Sequence, residues 1–325
     1  MSNLKQRNSA LKNRSLIIQL HDSVARQHAL FLRLLPDKLQ DSIAVMYLLF
    51  RMLDTIEDSE LNDIKRAILL DKASNDFIGA LKEAKSLVLS SNRVEKSYQM
   101  LFENSDSIFK FHRSLEPEIQ QEIEMTGMKM AGGMNKFFQK FIAAKQNGAA
   151  CFLESLSELE EYCYFAAGCV GELNTRMFRY RGYIKDQNFN EMLIEGKSLG
   201  IYLQLVNVLR DLAEDLRKKQ KSYMPKELTD KNPSERIRSI IQLARKHELE
   251  IKKYLSNLDN NSVKDYCSTL FKVGKAHYDY FEDAPEEIIK GNRVPTSKIF
   301  FALPWKLRYQ FAIFNLKKVF CSIHH

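Results

Sequence analysis

Two runs of carboxylates draw attention by their spacing. The first closes Tyr47-Leu-Leu-Phe-Arg-Met-Leu-Asp-Thr-Ile-Glu-Asp58, an apolar run that ends in Asp54, Glu57 and Asp58. The second closes Gln204-Leu-Val-Asn-Val-Leu-Arg-Asp-Leu-Ala-Glu-Asp215, which ends in Asp211, Glu214 and Asp215. On a helix, Asp54 and Asp58 lie one turn apart with Glu57 beside them, and the second trio repeats that arrangement. Three acids this close repel one another unless cations neutralise them, and clustered carboxylate oxygens suit hard cations such as Mg2+. Two matched Asp-x-x-Glu-Asp clusters point to a metal-diphosphate site between helices.

Each cluster belongs to a longer stripe. Tyr47, Arg51, Asp54 and Asp58 share one helix face, as do Gln204, Asn207, Asp211 and Asp215. Both helices therefore carry a polar seam flanked by apolar residues, the reverse of an ordinary surface helix. Seams that face each other would gather carboxylates for several Mg2+ ions around a diphosphate. Arg51, Arg210 and a basic exit (Arg217, Lys218, Lys219, Lys221) would offer counter-charge to phosphate oxygens. Apolar walls would hold a hydrocarbon chain, and Tyr and Phe faces would stabilise a carbocation. The plainer alternative is two solvated helix ends. Acids at a C-terminus oppose the helix dipole, however, so three at each of two ends are costly without a cation.

Such seams need long helices, and the composition provides for them. Among 325 residues, 45% are hydrophobic, with only 12 Gly and 7 Pro. That supports a sizeable core and an all-α architecture over strands and turns. Residues 1–14 read as a loose basic arm, and a first helix covers about 15–35. The next helix starts at Pro36-Asp37 and runs through the first acidic cluster. Two or three amphipathic helices fill 61–114, and Glu116-Pro117-Glu118 starts another. The glycines and methionines between Met125 and Met134 most simply mean close helix packing. After the Asn147-Gly148 turn, an almost wholly apolar helix over 151–180 must lie centrally. The helix over 188–220 carries the second cluster, and two more cover 233–257 and 262–282. The aromatic and basic segment 296–325 either docks on the core or lies on a membrane surface. No low-complexity linker separates two domains, so 15–295 reads as one helical domain.

The net charge of +8 favours anionic partners. Dispersed positive charge beside acidic seams disfavours a nucleic-acid binder. Five cysteines without CxxC spacing fit a reducing compartment better than a zinc site or disulfide framework. The N-terminal residues lack the apolar core of a signal peptide. No stretch reaches about 18 uncharged apolar residues, so no membrane-spanning helix is expected. A cytoplasmic, non-secreted monomer is the simplest expectation.

The chain resembles the squalene/phytoene synthase family, the head-to-head isoprenyl diphosphate synthases. The matching stretches are Tyr47 to Asp58, Tyr162-Cys-Tyr-Phe-Ala-Ala-Gly-Cys-Val-Gly171, and Gln204 to Asp215 followed by Tyr223-Met-Pro-Lys-Glu227. Their order and spacing also fit over roughly 20–285, and QxxNxxRDxxED is the most specific. Asp-Thr-Ile-Glu-Asp with an Arg three residues upstream is similar to the squalene synthase branch. The resemblance implies an isoprenoid synthase-type helical bundle with a central active-site cavity. It also implies a soluble or membrane-peripheral form without a C-terminal anchor.

It further implies that Asp54, Asp58, Asp211 and Asp215 are Mg2+-diphosphate ligands, supported by Glu57 and Glu214. Arg26, Tyr47, Arg51, Gln204, Asn207 and Arg210 would contact diphosphate or the metal shell. Tyr162 would assist proton transfer during cyclopropane formation, although spacing alone favours a core tyrosine. Val170 and Gly171 would line the hydrocarbon tunnel. The implied reaction joins two farnesyl diphosphates through presqualene diphosphate, then reduces the product to squalene with NADPH. No glycine-rich nucleotide fingerprint is visible, so NADPH rests on the resemblance alone. Presqualene diphosphate, dehydrosqualene or phytoene are the alternative products, and a non-catalytic helical scaffold is the alternative of another class. Two departures bear on the product. Ala25-Arg26-Gln27-His28 stands where the family carries a Ser-Phe pair, and Glu172 follows Gly171 where an apolar residue is expected.

Overall fold

The structure, a computed structural model, describes residues 2–25, 27–59, 61–90, 95–219 and 221–322. The side chains of 2–10, 218–219, 314 and 316–322 lie outside that description, as does Arg26. The described residues are all-α, with one isolated parallel bridge between Cys151 and Ser222. Contacts divide the chain into two compact units, Met1–Ile142 and Ala143–His325.

The first unit holds α1 (Ser2–Val24), α2 (His28–Leu32), α3 (Asp37–Asp58), α4 (Asp63–Ala73), α5 (Phe77–Leu89), α6 (Lys96–Glu103), α7 (Ser105–His112) and most of α8 (Pro117–Gln146). α1 runs back to Ser2 because 2–14 has no Gly or Pro to interrupt it, so helical backbone replaces the loose arm expected there. The single helix expected over 15–35 is broken after Val24, and α2 follows. α3 is the axis of this unit. Ile43, Leu48, Leu49, Met52, Leu53 and Ile56 on it are fully buried, and α1, α4, α5, α6 and α7 pack around it. The two or three helices expected over 61–114 are four, because Asn62, Asp76, Glu95 and Asn104 each begin a new one.

The second unit holds α9 (Leu156–Cys163), a π turn (Tyr164–Gly168), α10 (Cys169–Tyr180), α11 (Phe189–Glu214), a second π turn (Asp215–Lys219), α12 (Pro233–Asn257), α13 (Asn261–Asp283), α14 (Pro285–Lys290), α15 (Thr296–Ala302) and α16 (Trp305–Ser322). The helix expected from 151 starts only at Leu156, because Ser155 caps it by accepting from the Glu158 amide. α11 takes the central place in this unit, with α9, α10, α12, α13 and α14 against it. It approaches α10 so closely that a Cβ on Gly171 would lie 2.1 Å from the Gly196 carbonyl oxygen. Buried tyrosines tie α11 to α13, and α10 to α12. The Tyr278 hydroxyl donates to the Tyr202 carbonyl at 2.6 Å, and the Thr175 and Tyr254 hydroxyls share a hydrogen bond of 2.8 Å.

Candidate active site

Burial follows the polar seams residue by residue. Between Ser42 and Ile56 on α3, every side chain is buried except Tyr47, Arg51 and Asp54. On α11, Leu205, Val206, Val208 and Leu209 are buried while Gln204, Asn207, Arg210 and Asp211 are half-buried. Each helix thus presents a polar stripe set into an apolar one, as the spacing requires.

At the end of α3, Arg51 Nη1 lies 3.3 Å from Asp54 Oδ2, and its Nη2 donates to the Tyr47 hydroxyl at 3.2 Å. The same guanidinium lies 5.7 Å from the Tyr98 ring centroid. Its Nε is buried and finds no acceptor among the described residues. Arg66 donates to the Glu57 carbonyl at 2.8 Å, placing a cation at the negative end of the helix dipole. Beneath the seam, His28 stacks on Tyr47 with ring centroids 5.2 Å apart and planes 11° from parallel. His21 Nε2 stands 3.2 Å from His28 Nδ1. Burial, with His21 adding to it, pushes His28 down to about 3.

At the end of α11, Asp211 is held by two guanidiniums. Arg210 reaches its two oxygens at 2.9 and 2.6 Å, and Arg293 Nη1 lies 2.5 Å from Oδ1. Arg293 Nη2 also reaches Glu214 Oε2 at 2.9 Å. Burial alone would raise the Asp211 carboxyl, but the two arginines outweigh it and hold it below the usual range. Asn207 donates to Gln204 Oε1 at 3.1 Å. Asp215 is buried, at the start of the second π turn.

The turn beyond brings Lys221 back into the protein. Its Nζ lies 4.8 Å from the Tyr223 ring centroid and 5.5 Å from that of Phe152, and the residue is 7% exposed. Tyr162 packs on Tyr223 with centroids 4.5 Å apart, so the tyrosine implied in proton transfer shares with Lys221 a contact to the same Tyr223 ring. Val170 and Gly171 are half-buried, as are Tyr164 to Ala167 in the first π turn. Single π turns inside helices frequently mark functional sites. Glu172 accepts from the Tyr164 hydroxyl at 3.4 Å and lies 3.8 Å from Arg176, so its charge is partnered.

The donor set at each helix end is oxygen only and of the hard type that Mg2+ prefers. Among the described residues, no three acidic, His or Cys side chains are gathered tightly enough to hold a metal ion. Arginines stand on Asp54, Asp211 and Glu214 instead, which shows that these ends demand positive charge. The donor chemistry fits Mg2+. Arg26 and the Lys218 and Lys219 side chains lie outside the described residues. Sequence reading missed Arg293, because a lone arginine in a Gly-Asn-Arg-Val-Pro turn has no spacing that ties it to α11.

The sequence pattern of squalene/phytoene synthases matches residues 21–299. The chain belongs to the squalene/phytoene synthase family. It is 29% identical over 212 residues to the squalene synthase of Solanum lycopersicum, covering 64% of this chain and 46% of that protein. The chain spans about half the length of the curated squalene synthases it matches. Among solved structures, TcSQS bound to the ligand BPH1237 aligns with a TM-score of 0.76 at 18% identity, over 92% of this chain and 89% of that one. A dehydrosqualene synthase in complex with a ligand aligns at 0.59 and 16% identity, over 95% of this chain and 99% of that one. These likenesses establish the isoprenoid synthase-type helical fold for this squalene/phytoene synthase family member.

Proposed function

We propose that this chain condenses two farnesyl diphosphates head to head through presqualene diphosphate, with squalene as the product after reduction by NADPH. The matched polar seams on α3 and α11, each ending in three carboxylates, carry the reading. Both acidic ends are assigned to the same reaction. Asp54, Glu57 and Asp58 at one end, and Asn207, Asp211, Glu214 and Asp215 at the other, would hold Mg2+. Bound there, the metal would supply Lewis-acid stabilisation of the departing diphosphate.

The chain's own residues do the rest. Arg51 has a spare buried Nε to offer a diphosphate oxygen, while Arg210 and Arg293 stand ready to change partners. The faces of Tyr162 and Tyr223 are suited to stabilise an allylic cation. The Tyr162 hydroxyl is the group assigned to the proton lost on cyclopropane closure, on a ring that packs against Tyr223. No described side chain marks a nicotinamide site, so no step is assigned to a residue that binds NADPH. The squalene end-point is supported by the names of the relatives. Glu172, an acid on the helix of the hydrocarbon-lining residues, supports a second reading that stops at presqualene diphosphate or ends at dehydrosqualene or phytoene. The enzyme is taken to work as a monomer on the cytoplasmic side, free or peripheral to a membrane.

Mass spectrometry of products from farnesyl diphosphate and Mg2+, with and without NADPH, tests this reading. Squalene formed only with NADPH supports the full sequence. A cyclopropyl diphosphate or a dehydro-C30 hydrocarbon under both conditions would replace the product. No turnover with farnesyl or geranylgeranyl diphosphate would leave the non-catalytic reading.

A further inference from the structure

The C-terminal segment has two opposite faces. Ile299, Leu303, Leu307 and Phe311, spaced four apart, are 1–3% exposed and seat the segment on its unit. Phe301, Trp305, Tyr309 and Ile313 have the same spacing, offset by two residues, and are 69, 83, 75 and 36% exposed. A two-residue offset turns a helix by roughly 200°. Within α15, and again within α16 beyond the Leu303-Pro304 break, Ile299, Leu307 and Phe311 therefore point inward while Phe301, Trp305, Tyr309 and Ile313 point to solvent. Core docking and an outward aromatic face are therefore both present in one segment.

Beside the outward stripe lies a groove of about 630 Å³, lined by Lys272, Lys275, Lys298, Arg308, Phe301 and Trp305 among others. Asp279 is the one acid in its lining, and it is already held by Lys275 and Arg245 at 2.8 Å each. Arg308 donates to the Leu303 and Phe301 carbonyls, which lays its guanidinium 5.8 Å from the Phe301 ring centroid. Lys306 is paired with Asp265, and Lys298 lies 4.0 Å from Asp283. Even so, residues 296–325 contain five Lys and Arg and no Asp or Glu. No helix among the described residues is long and apolar enough to cross a membrane.

We infer that this face docks on an anionic phospholipid bilayer. Phe301, Trp305 and Tyr309 enter the interfacial layer, and the basic groove receives a headgroup phosphate. Exposed aromatics in a row need a cover, and Trp and Tyr beside Lys and Arg match the half-apolar, half-charged boundary of a bilayer. The excess of cations in the groove selects acidic lipid over neutral. This inference does not depend on the reaction.

Trp305 is the only tryptophan in the chain, so its emission reports from the middle of the surface. Full-length protein is titrated with vesicles of phosphatidylcholine mixed with phosphatidylglycerol, with phosphatidylcholine vesicles alone, and with inorganic phosphate. The expected result is a blue shift of Trp305 emission and flotation with the mixed vesicles only. A Lys272→Gln/Lys298→Gln variant should partition about tenfold or more less well, since each lysine near an acidic surface contributes roughly fivefold. A Phe301→Ser/Tyr309→Ser variant, substituted only at exposed positions, should lose flotation with helical content intact. No shift and no flotation overturns the inference, as does equal binding to neutral vesicles. So does a shift with phosphate alone, or one that follows protein concentration without lipid and so marks a second copy of the chain.

Discussion

Arg293 Nη1 lies 2.5 Å from Asp211 Oδ1, joining residues 82 positions apart, and the same guanidinium spans to Glu214 at 2.9 Å. A side chain from the turn after α14 thus supplies positive charge to the acidic end of α11. On the proposed reading, Mg2+ taken up by those carboxylates would have to compete with it. Arg293→Gln is expected to lower the stability of the metal-free protein slightly, by under about 1 kcal/mol for such half-exposed pairs. The same change should enlarge the thermal shift produced by Mg2+, because binding to the folded state then no longer displaces Arg293, while Arg210 remains on Asp211. Melting curves with and without Mg2+ decide this, and equal shifts in both proteins would count against it.

His28 gives a pH prediction of definite sign. Its folded value is pushed down to about 3, against about 6.5 for an unfolded histidine. Its contribution is full above about pH 6.5 and is lost as pH falls toward 3, at up to roughly 1.4 kcal/mol per unit. His28→Phe keeps a ring to stack on Tyr47 and removes the titration. Denaturation at pH 7 and pH 5 should show a smaller acid loss in the variant. Part of the loss should remain, because burial also lowers His112 and His247.

Tyr162 packs on Tyr223, with Lys221 over the same ring. Tyr162→Phe preserves the packing and removes only the hydroxyl. Turnover to the cyclopropyl product should fall by about 10²–10⁴, the usual contribution of a positioned acid or base. The melting temperature should not move. Unchanged turnover would return Tyr162 to the role of a core tyrosine.

Close approach makes Gly171 a stability position whatever lines the tunnel. In Gly171→Ala the new methyl meets the Gly196 carbonyl at 2.1 Å, and backbone cannot step aside as a side chain can. A loss of about 1–3 kcal/mol is expected. Gly132→Ala on α8 is the control, since its nearest contact is Ser74 Cβ at 3.7 Å. There alanine should be neutral or stabilise by up to about 1 kcal/mol. Equal losses at both positions would contradict the packing account.

What could be read from the sequence was what periodicity records. The seams of α3 and α11 are local patterns, and burial reproduces them at Tyr47, Arg51, Asp54, Gln204, Asn207 and Asp211. The start expected at 233 agrees with α12, where Asn232 caps the helix by accepting from the Glu235 amide and Pro233 opens its first turn. Contacts made over long sequence distances left no such trace. Arg293 on Asp211, Lys221 folded back over Phe152, and His28 stacked on Tyr47 depend on how chain segments return. The segment 296–325 could be read as inward or outward facing because its two stripes are equally apolar. Only the fold shows that each stripe takes one role.

Release of diphosphate from farnesyl diphosphate, with Mg2+ present, tests the central claim most directly. It should be measured for the native chain, Asp54→Asn, Asp211→Asn and the double variant. Two acidic ends serving one reaction act as a unit, so each single change should cost at least about a hundredfold and the double little more. All four proteins should stay folded, and without Mg2+ their stabilities should differ by no more than about 1–2 kcal/mol, the scale of such half-exposed pairs. Near-native release from either single variant, or losses that simply multiply in the double, would contradict the account.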